Sequence, residues 1–183
     1  MSHIFDPKHF KKLDSPERKK VLPQEDIIAL LKPNASLVAA DIGCGVGYFS
    51  IPFTDHYQTV KAIDISEIMV GELRNRTSQP NIEIMLGDFN TLLDEASVDL
   101  FFTCTVIHEV DDLKLFTQQA ISKLKSEGQL AYVDFIKKDS TIGPPQSKRI
   151  ASDDLMVLLS ELGLKDIECH NIKNEFYMVT GIK

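Results

Sequence analysis

The stretch "SLVAADIGCGVGYFS" (residues 36–50) decides the fold. Its apolar first half has the length of a strand, and Gly43, Gly45 and Gly47 follow within five positions. A strand that runs into glycine-rich backbone and then into a helix is typical of doubly wound α/β folds, which present backbone amides to a ligand. We expect a side chain at Gly43 or Gly45 to take that ligand's space. Tight strand-to-helix turns also use glycine for positive φ without any ligand, so the pattern alone is a weak signal.

Further apolar segments of strand length follow this stretch at regular intervals. With the first they read "SLVAADIG", "TVKAIDI", "NIEIML", "SVDLFFTC" and "GQLAYVDFI". Those near the middle are almost continuously apolar, as strands buried on both faces of a sheet are. Helical patterns separate them, and the clearest is "DDLKLFTQQAISKLK" (111–125). Strands that alternate with helices predict right-handed crossovers and a parallel, doubly wound sheet.

The C-terminus departs from this alternation. A last large helix is predicted in "SDDLMVLLSELG", with Ser152 as its N-cap and Gly163 as its stop. Two strand-like segments follow, "LKDIECHNI" and "EFYMVTGIK", and only "KN" separates them. A parallel crossover needs a dozen or more residues, so these two strands must form an antiparallel hairpin. The predicted fold is therefore a Rossmann-like α/β sheet of seven strands, mostly parallel, with an antiparallel C-terminal hairpin.

The composition is that of one globular domain. The chain has 183 residues, of which 43% are hydrophobic and 26% are charged, enough apolar material for one core. Its first residues contain no apolar run framed by a cleavage site, and no stretch reaches about 18 uncharged apolar residues. We therefore expect a cytoplasmic protein that does not insert into a membrane and is a monomer or a homodimer.

Cysteine spacing and net charge exclude two further classes. Cys44, Cys104 and Cys169 form no CxxC pair and have no metal-ligand spacing, so we predict reduced, mostly buried thiols and no metal site. The formal net charge of −7 disfavours a nucleic-acid partner, because the overall field of the molecule repels a polyanion.

The N-terminal segment differs from the rest of the chain. Residues 1–20 are charged, carry few apolar residues and are too short to bury a core of their own. The next stretch, "LPQEDIIALLKP", predicts a short helix that leads into the first strand. We divide the chain into a short helical lid, residues 1–20, and a single domain, residues 21–183. A frayed tail is the alternative interpretation of residues 1–20.

An aspartate ends the second strand, where a nucleoside site needs one. Asp64 lies 19 residues beyond Gly45. A carboxylate at this distance from a glycine turn can accept hydrogen bonds from both hydroxyls of a ribose. The alternative is that Asp64 supports the start of the helix that begins near Ser66.

The details of the turn favour a cationic nucleoside over a dinucleotide. The third glycine of the pattern G-x-G-x-x-G would fall at position 48, which is Tyr48. Asp41 also stands beside the turn, where a carboxylate repels a pyrophosphate and attracts an ammonium or sulfonium group. At about 7 Å and an effective dielectric constant near 20, such a charge pair is worth roughly 2 kcal/mol.

Five features together resemble the class I S-adenosylmethionine-dependent methyltransferases. They are "DIGCGVG", the strand-end Asp64, "GDF" after the third strand, "SVDLFFTCTVIHEV" and the C-terminal hairpin. The closest likeness is to the small-molecule branch that includes the quinone-biosynthesis C-methyltransferases, and it covers residues 21–183. The resemblance implies an enzyme that binds S-adenosylmethionine, methylates a small molecule and releases S-adenosylhomocysteine.

The resemblance also implies which residues bind the cofactor. The turn with Gly43, Cys44 and Gly45 would lie against the methionine part, Asp41 near its amino group and Asp64 on the ribose.

The remaining implied contacts concern the adenine and the amino-acid end. Asp88 and Phe89 would lie at the adenine, with Ile65 and Met69 as apolar contacts, and Cys104 would place a backbone carbonyl near the amino-acid moiety. As alternatives, Asp88 is a turn residue, while Phe89 and Met69 belong to the core.

The segment after the fourth strand carries the candidate for catalysis. His108 and Glu109 in "TVIHEV" fall at the carboxyl edge of the sheet, and a histidine there can deprotonate a hydroxyl or a carbon acid near neutral pH. The alternative interpretation of His108 is a helix-start or packing residue. The segment lacks the Asn- or Asp-Pro-Pro-aromatic stretch of enzymes that methylate adenine or amide nitrogens, which disfavours that class.

Two clusters of basic residues suggest the charge of the acceptor. One belongs to the N-terminal segment: Lys8, Lys11, Lys12, Arg18, Lys19 and Lys20. The other flanks the loop "IGPPQSKR", a second candidate lid element: Lys137, Lys138, Lys148 and Arg149. In an acidic protein these clusters predict an anionic methyl acceptor, against the alternative of solvated surface lysines. The alternative functions are a non-catalytic cofactor-binding module and an NAD or nucleotide-sugar Rossmann enzyme.

Overall fold

The computed structural model describes residues 15–183, and a seven-stranded sheet forms their centre. The strands, in chain order, are β1 (Val38–Ile42), β2 (Thr59–Asp64), β3 (Ile82–Leu86), β4 (Val98–Cys104), β5 (Leu124–Phe135), β6 (Lys165–Ile172) and β7 (Phe176–Ile182). Across the sheet they are ordered β3-β2-β1-β4-β5-β7-β6. Strands β1 to β5 pair in parallel, whereas β7 is antiparallel to β5 and to β6. The predicted fold class is confirmed.

Helices cover both faces of the sheet. They are α1 (Pro16–Val21), α2 (Gln24–Leu30), α3 (Ser50–Phe53), α4 (Glu67–Arg76), α5 (Phe89–Leu92), α6 (Leu113–Lys123) and α7 (Ser152–Glu161). One apolar cluster joins α2 and α3 to one face of the central strands through Ile27, Phe53 and Phe102. A second cluster joins α6 and α7 to the opposite face through Ala120 and Leu155. The residues of the α2 pattern, Ile27, Ile28 and Leu31, are buried as expected.

The strand order explains where a ligand site forms. Strand β1 pairs with β2 on one side and with β4 on the other. The crossovers after β1 and β2 run toward the β3 edge, whereas the crossover after β4 runs toward the opposite edge. The loops that follow β1 and β4 therefore diverge and leave a crevice at the carboxyl ends of the strands. Open α/β sheets bind ligands at such a switch point.

The C-terminal hairpin is closed by the short turn that the sequence predicts. Lys173 and Asn174 have φ of +50° and +57°, and the N–H of Glu175 donates to the carbonyl of Ile172 at 3.1 Å. Two central residues with positive φ match the twist of an antiparallel strand pair. The Asn171 side chain also accepts a hydrogen bond from the Asn174 N–H at 2.9 Å. The separation by "KN" was therefore sufficient to predict the antiparallel pairing.

Two predicted element boundaries are wrong. Helix α7 begins at Ser152 itself, with Ala151 in the N-cap position and no side-chain capping bond. Strand β5 begins at Leu124 instead of Gly128, because the residues before Gly128 join the strand through an irregularity. There Glu127 adopts a φ of +62°, and the pairing of β4 with β5 shifts register between Val98 and Leu100.

Two further features of the described residues are the composition of the helices and the state of the cysteines. Within residues 15–183 no helix has the length and apolar composition needed to cross a bilayer. All three cysteines are unpaired, with Cys44 and Cys104 buried and Cys169 exposed.

Candidate functional site

A cavity of about 1130 Å³ opens at the carboxyl ends of the parallel strands. Its wall combines the glycine turn, the end of β2, the start of α5, the segment after β4, and parts of α1 and of the loop before α7. Pockets that hold one drug-sized ligand span about 300–1,000 Å³, so this cavity has room for a cofactor and a second small molecule.

The glycine turn is fixed against the neighbouring strand. The N–H groups of Gly43 and Cys44 donate to the carbonyl of Ile63 at 2.8 and 3.1 Å. Gly43 has a φ of +70°, and a Cβ there would overlap Cγ2 of Val106. A side chain at Gly43 would therefore meet Val106, and the expectation that it would also take the ligand's space stays a prediction. Gly45, with a φ of +54°, lines the cavity together with Gly43.

Hydrogen bonds from two backbone amides fix the orientation of the Asp64 carboxylate. Oδ2 accepts the N–H of Gly45 at 2.8 Å, and Oδ1 accepts the N–H of Ser66 at 2.8 Å. Burial raises the pKa of this carboxyl group, although these amide hydrogen bonds partly oppose the rise. A carboxylate has about four acceptor sites on its two oxygens, so Asp64 can accept further donors besides these amides. Asp64 lines the cavity, so its geometry suits the predicted contact with two ribose hydroxyls. Asp64 also supports the helix start, as the alternative interpretation proposed.

Asp41 lies at the edge of the cavity, in a narrow recess of about 40 Å³. Its side chain is 3% exposed and accepts a hydrogen bond from the hydroxyl of Ser50. Burial is the main cause that raises the pKa of Asp41 to about 7, with the charge of Asp64 adding to the rise. Cys44 lines the same recess. The structure therefore places Asp41 and Cys44 beside the turn but outside the main cavity.

The four residues predicted near the adenine lie together on one wall of the cavity. Ile65 is 62% exposed, an unusual position for an isoleucine and one that a bound ring would cover, whereas Met69 is buried. Asp88 caps α5 by accepting the N–H of Asn90 at 2.9 Å. The ring of Phe89 packs edge-on against Phe101, with ring centroids 5.0 Å apart. Asp88, Phe89 and Met69 thus have the local roles named as alternatives, in addition to their place on the wall.

Cys104 ends β4 on the other side of the turn. Its thiol is buried, and this burial raises its pKa to about 12, so it is not a nucleophile at neutral pH. The guanidinium of Arg18 lies 3.9 Å from its sulfur and donates to the hydroxyl of Thr105 at 3.3 Å. Cys104 and Arg18 both line the cavity and the recess.

His108 pairs with a residue that the sequence analysis missed. Its Nδ1 lies 2.8 Å from Oδ1 of Asp134, and its backbone N–H donates to Oδ2 of the same carboxylate at 3.3 Å. Asp134 is 1% exposed and also accepts the N–H of Phe135 at 2.7 Å. A carboxylate only accepts hydrogen bonds, so the proton of a neutral His108 resides on Nδ1 and the lone pair on Nε2.

The environment of His108 raises its pKa. Burial acts to lower it, but the hydrogen bond and negative charge of Asp134, together with the charge of Glu109, outweigh that effect. Nε2 lies 3.8 Å from a carboxylate oxygen of Glu109. The His108 ring lines the cavity. The signal that could have identified Asp134 is an acidic residue inside the apolar run "AYVDFI" at the carboxyl end of a strand.

Part of the basic cluster around the second loop does not face the cavity. Arg149 is 2% exposed, and its guanidinium donates to the carbonyl oxygens of Pro144, Ile136 and Ile142. It also lies over the ring of Phe135, 5.3 Å from the centroid. The expectation that Arg149 meets an anionic acceptor is wrong, because loop carbonyls use its donors. Lys138 pairs with Glu175 at 2.9 Å, and Lys148 is exposed away from the cavity wall.

Both predicted lid elements border the cavity where the structure describes them. Helix α1 contributes Arg18, Lys20 and Val21, and the loop before α7 contributes Ile142 to Pro144. Lys8, Lys11 and Lys12, with the rest of residues 1–14, lie outside the described residues.

The arrangement fits S-adenosylmethionine. The recess joins a buried carboxylate, Asp41, to a guanidinium whose Nε atom is buried and lacks a hydrogen-bond partner among the described residues. The exposed Ile65 and the carboxylate of Asp64 line the main cavity outside this recess. The charged groups of the recess suit the charged amino-acid end of the cofactor, and Asp64 and Ile65 suit its ribose and its base.

Known proteins share this fold and sequence pattern. A solved S-adenosylmethionine-dependent methyltransferase from Aquifex aeolicus superposes with a TM-score of 0.89 at 23% identity, covering 98% of this chain and 99% of that one. A probable S-adenosylmethionine-dependent methyltransferase of Mycobacterium tuberculosis is 28% identical over 69% of this chain and 48% of its own length. A malonyl-[acyl-carrier protein] O-methyltransferase of Coxiella burnetii is 29% identical over 67% of this chain and 52% of its own length. The chain spans about half the length of these curated relatives.

The family model for the methyltransferase domain matches residues 40–132, just over half of the chain. That span includes the glycine turn, Asp64, Asp88 and His108, but ends before Asp134. The predicted family and its dependence on S-adenosylmethionine are confirmed, and neither alternative function gains support from these relatives. The chain belongs to the methyltransferase domain family.

Proposed function

We propose that the protein transfers a methyl group from S-adenosylmethionine to an ionisable hydroxyl of a small molecule, with His108 as the general base. The observation that carries this proposal is the His108–Asp134 pair on the wall of a cavity that begins at the glycine turn. A buried carboxylate that orients a histidine and fixes its tautomer is the arrangement that general-base catalysis requires.

The cofactor is held by the residues that the sequence predicts. Asp64 would bind the ribose, while Ile65, Met69, Asp88 and Phe89 would surround the adenine. Gly43, Cys44 and Gly45 would lie along the methionine part, with Asp41 at its ammonium and Cys104 beside it. When bound, S-adenosylmethionine supplies a methyl group on a positively charged sulfur, which keeps the bonding electron pair when the acceptor oxygen takes the methyl.

His108 removes the proton that methylation of a hydroxyl releases. Its Nε2 atom carries the lone pair, because Nδ1–H donates to Asp134. The acceptor's O–H proton passes to Nε2, and the resulting imidazolium is stabilised by the carboxylate of Asp134. Water takes the proton from Nε2 after the product leaves. A correctly placed general base contributes about 10²- to 10⁴-fold to the rate.

The acceptor side of the cavity is apolar. Phe135 and Phe176 lie with ring centroids 4.6 Å apart, and the loop with Ile142 and Pro144, which packs on the Phe135 ring at Gly143, lines the cavity with them. The prediction of an anionic acceptor loses two of its supporting residues, Arg149 and Lys138, to contacts within the protein. We therefore propose a small, largely apolar acceptor that is neutral until His108 removes its proton.

Residues 1–20 act as a lid in this proposal. Helix α1, which begins the described part of that segment, borders the cavity beside the turn, and the Tyr48 hydroxyl donates to the carbonyl of Leu22 at 2.6 Å just after it. Closure over the cofactor would exclude water from the transfer, as lids of other enzymes do. The remaining residues, 21–183, form the methyltransferase domain.

Cysteine usage and net charge support a proposal for the location of the protein and for its partners. The three unpaired thiols are typical of a reducing compartment, which supports a cytoplasmic location. The net charge of −7 disfavours nucleic acid as the acceptor, and we propose a monomer or homodimer. The name of the Coxiella burnetii relative, an O-methyltransferase, supports oxygen as the methylated atom.

Candidate acceptors that differ only in the group to be methylated test this function. Ring compounds that carry a hydroxyl group are compared with the same rings carrying an amino group, using S-adenosylmethionine with a labelled methyl. We expect label in the hydroxyl compounds and a loss of about 10²- to 10⁴-fold in His108→Asn, whose amide can still donate to Asp134. S-adenosylhomocysteine should bind both proteins equally. Label in the amines alone, or full activity of His108→Asn, would contradict the proposal.

A further inference from the structure

The backbone of Gly143, in the loop before α7, packs directly on the ring of Phe135. Gly143 has a φ of +80°, and a Cβ at this position would overlap three ring carbons of Phe135, Cδ1, Cε1 and Cζ. Both residues line the cavity, as do Ile142 and Pro144 on either side of the glycine. Because the glycine has no side chain, the loop and the ring form one continuous apolar wall.

Hydrogen bonds hold this loop against the ring. The guanidinium of Arg149 donates to the carbonyl oxygens of Pro144 and Ile142, on both sides of the glycine. Arg149 is 2% exposed, so water does not replace these contacts easily. Closer to β5, the Ser140 hydroxyl donates to the carboxylate of Glu175 at 3.2 Å. The loop therefore cannot move away from the ring beneath it without losing several hydrogen bonds.

Neighbouring side chains also enclose the Phe135 ring. The Phe176 ring lies 4.6 Å from it, measured between centroids, and the guanidinium of Arg149 lies 5.3 Å from its centroid. Both neighbours are 2% exposed, so they leave the ring little room on their sides. The His108 ring stands at 69° to the Phe135 ring, with 5.6 Å between the centroids. A side chain at position 143 would therefore push the Phe135 ring toward the cavity and toward His108.

We infer that Gly143 sets the space for a phenolic acceptor, because it lets the Phe135 ring lie back from the space in front of His108. This inference rests on the proposed function, in which the acceptor hydroxyl meets Nε2 of His108. An apolar and partly aromatic wall beside a base suits a planar ring, since aromatic rings pack favourably on one another. A phenolic hydroxyl has a pKa of about 10, well below the value of about 15.7 for water, so a histidine can deprotonate it more readily than an aliphatic alcohol.

An NMR titration with two phenols tests the inference without relying on turnover. Phenol and 4-butylphenol are titrated into protein that is saturated with S-adenosylhomocysteine. The wild-type protein should bind 4-butylphenol more tightly, by up to about fourfold for each methylene that is buried. Gly143→Ala should weaken binding of 4-butylphenol by about 5- to 100-fold, because the displaced ring takes the space of the alkyl tail. Phenol is small enough to avoid the ring and should lose less than about threefold.

A second substitution shows whether Phe135 transmits the effect. Phe135→Leu removes the ring carbons Cε1 and Cζ, which a Cβ at position 143 would overlap. In this background Gly143→Ala should change the affinity for 4-butylphenol by less than about twofold. The strain of an alanine at positive φ is present in both backgrounds, so it cancels when the two losses are compared.

Gly163→Ala is the matched control for backbone strain. Gly163 has a φ of +89°, and a Cβ there would meet no atom of residues 15–183 within 4 Å apart from its chain neighbours. Gly163→Ala should leave the affinities for both phenols within about twofold. Calorimetry with S-adenosylhomocysteine checks each variant, and all of them should bind it within about twofold of the wild type.

Several results would overturn the inference. They are equal losses for the two phenols in Gly143→Ala, an undiminished loss in the Phe135→Leu background, the same selective loss in Gly163→Ala, and a wild-type complex that binds neither phenol. Failure of the proposed function gives a different result. A wild-type protein that binds the phenols with the expected selectivity, but transfers no methyl group to any hydroxyl compound, would refute that function and leave the role of Gly143 in binding intact.

Discussion

Nδ1 of His108 lies 2.8 Å from Oδ1 of Asp134, although 26 residues separate them along the chain. Strands β4 and β5 are neighbours in the sheet, so the loop after β4 falls beside the carboxyl end of β5. The carboxylate of Asp134 is almost wholly used by His108 and by the N–H of Phe135. Within the pair, His108 Nε2 is the ring nitrogen that carries a lone pair; a carboxylate oxygen of Glu109 lies 3.8 Å from it, and the ring lies on the cavity wall.

The acidic side of the pH profile of kcat/KM should follow the protonation of His108 in this pair. Only neutral His108 accepts a proton, so kcat/KM should rise as pH increases through its pKa, which lies above the ordinary value of 6.5. Asp134→Asn removes the charge that raises this pKa, and burial then acts to lower it. The acid limb of the profile should move to lower pH, with a lower maximal rate. If the wild type and Asp134→Asn have identical acid limbs, His108 does not accept the proton in the reaction.

Asp64 should contribute strongly to cofactor affinity. Asp64→Ala removes a charged acceptor and should weaken binding of S-adenosylhomocysteine by about 10- to 150-fold in calorimetry. Asp64→Asn, which keeps one oxygen for the amide of Gly45 or Ser66, should lose less. Glu67→Gln is the control, because Glu67 is exposed in the first turn of α4 and does not line the cavity. If Asp64→Ala binds S-adenosylhomocysteine with unchanged affinity, Asp64 does not contact the cofactor.

The fold was predictable because its signals are local. Glycine spacing, apolar runs and the two residues between the last strands each act within a few positions, and the structure agrees with all three. The His108–Asp134 pair was not predictable in the same way, since Asp134 acquires its role only when β5 lies beside β4. Arg149 was misinterpreted for a related reason. The sequence shows its charge, but not the three carbonyl groups that surround it.

Arg149 should matter for stability, unlike its neighbour Lys148. Arg149→Met leaves the carbonyl groups of Ile136, Ile142 and Pro144 without their donor and should lower the free energy of unfolding by about 2–4 kcal/mol. Lys148→Gln, at an exposed position of the same loop, should change it by less than about 0.5 kcal/mol. Urea denaturation of both variants measures the difference. Similar values for the two would show that the inward contacts of Arg149 contribute nothing net.

Asp41 should destabilise the cofactor-free protein above neutral pH. Its folded pKa of about 7 lies above the ordinary value of 3.8 for an aspartate, so between these two pH values the folded state holds a proton that the unfolded state has lost. Stability from this group is present below pH 3.8 and is lost as pH rises through 7. Asp41→Asn should therefore stabilise the free protein, by about 2 kcal/mol more at pH 8.5 than at pH 5.5.

The same substitution should weaken cofactor binding, because the cofactor's ammonium loses its carboxylate partner. Thermal denaturation across this pH range, with and without S-adenosylhomocysteine, measures both effects. A gain in stability that does not change with pH would show that Asp41 is already ionised in the free protein at pH 5.5.

Transfer of a trideuterated methyl group tests the central claim most directly. The protein is incubated with labelled S-adenosylmethionine and a small-molecule extract of its source cells, and mass spectrometry identifies what gains the label. His108→Asn is treated identically to subtract transfer by other routes. We expect at least one small apolar compound to carry the label on oxygen with the wild-type protein and to lack it with His108→Asn. If calorimetry shows cofactor binding while no compound gains the label, the protein is a cofactor-binding module and the proposed methyl transfer is refuted.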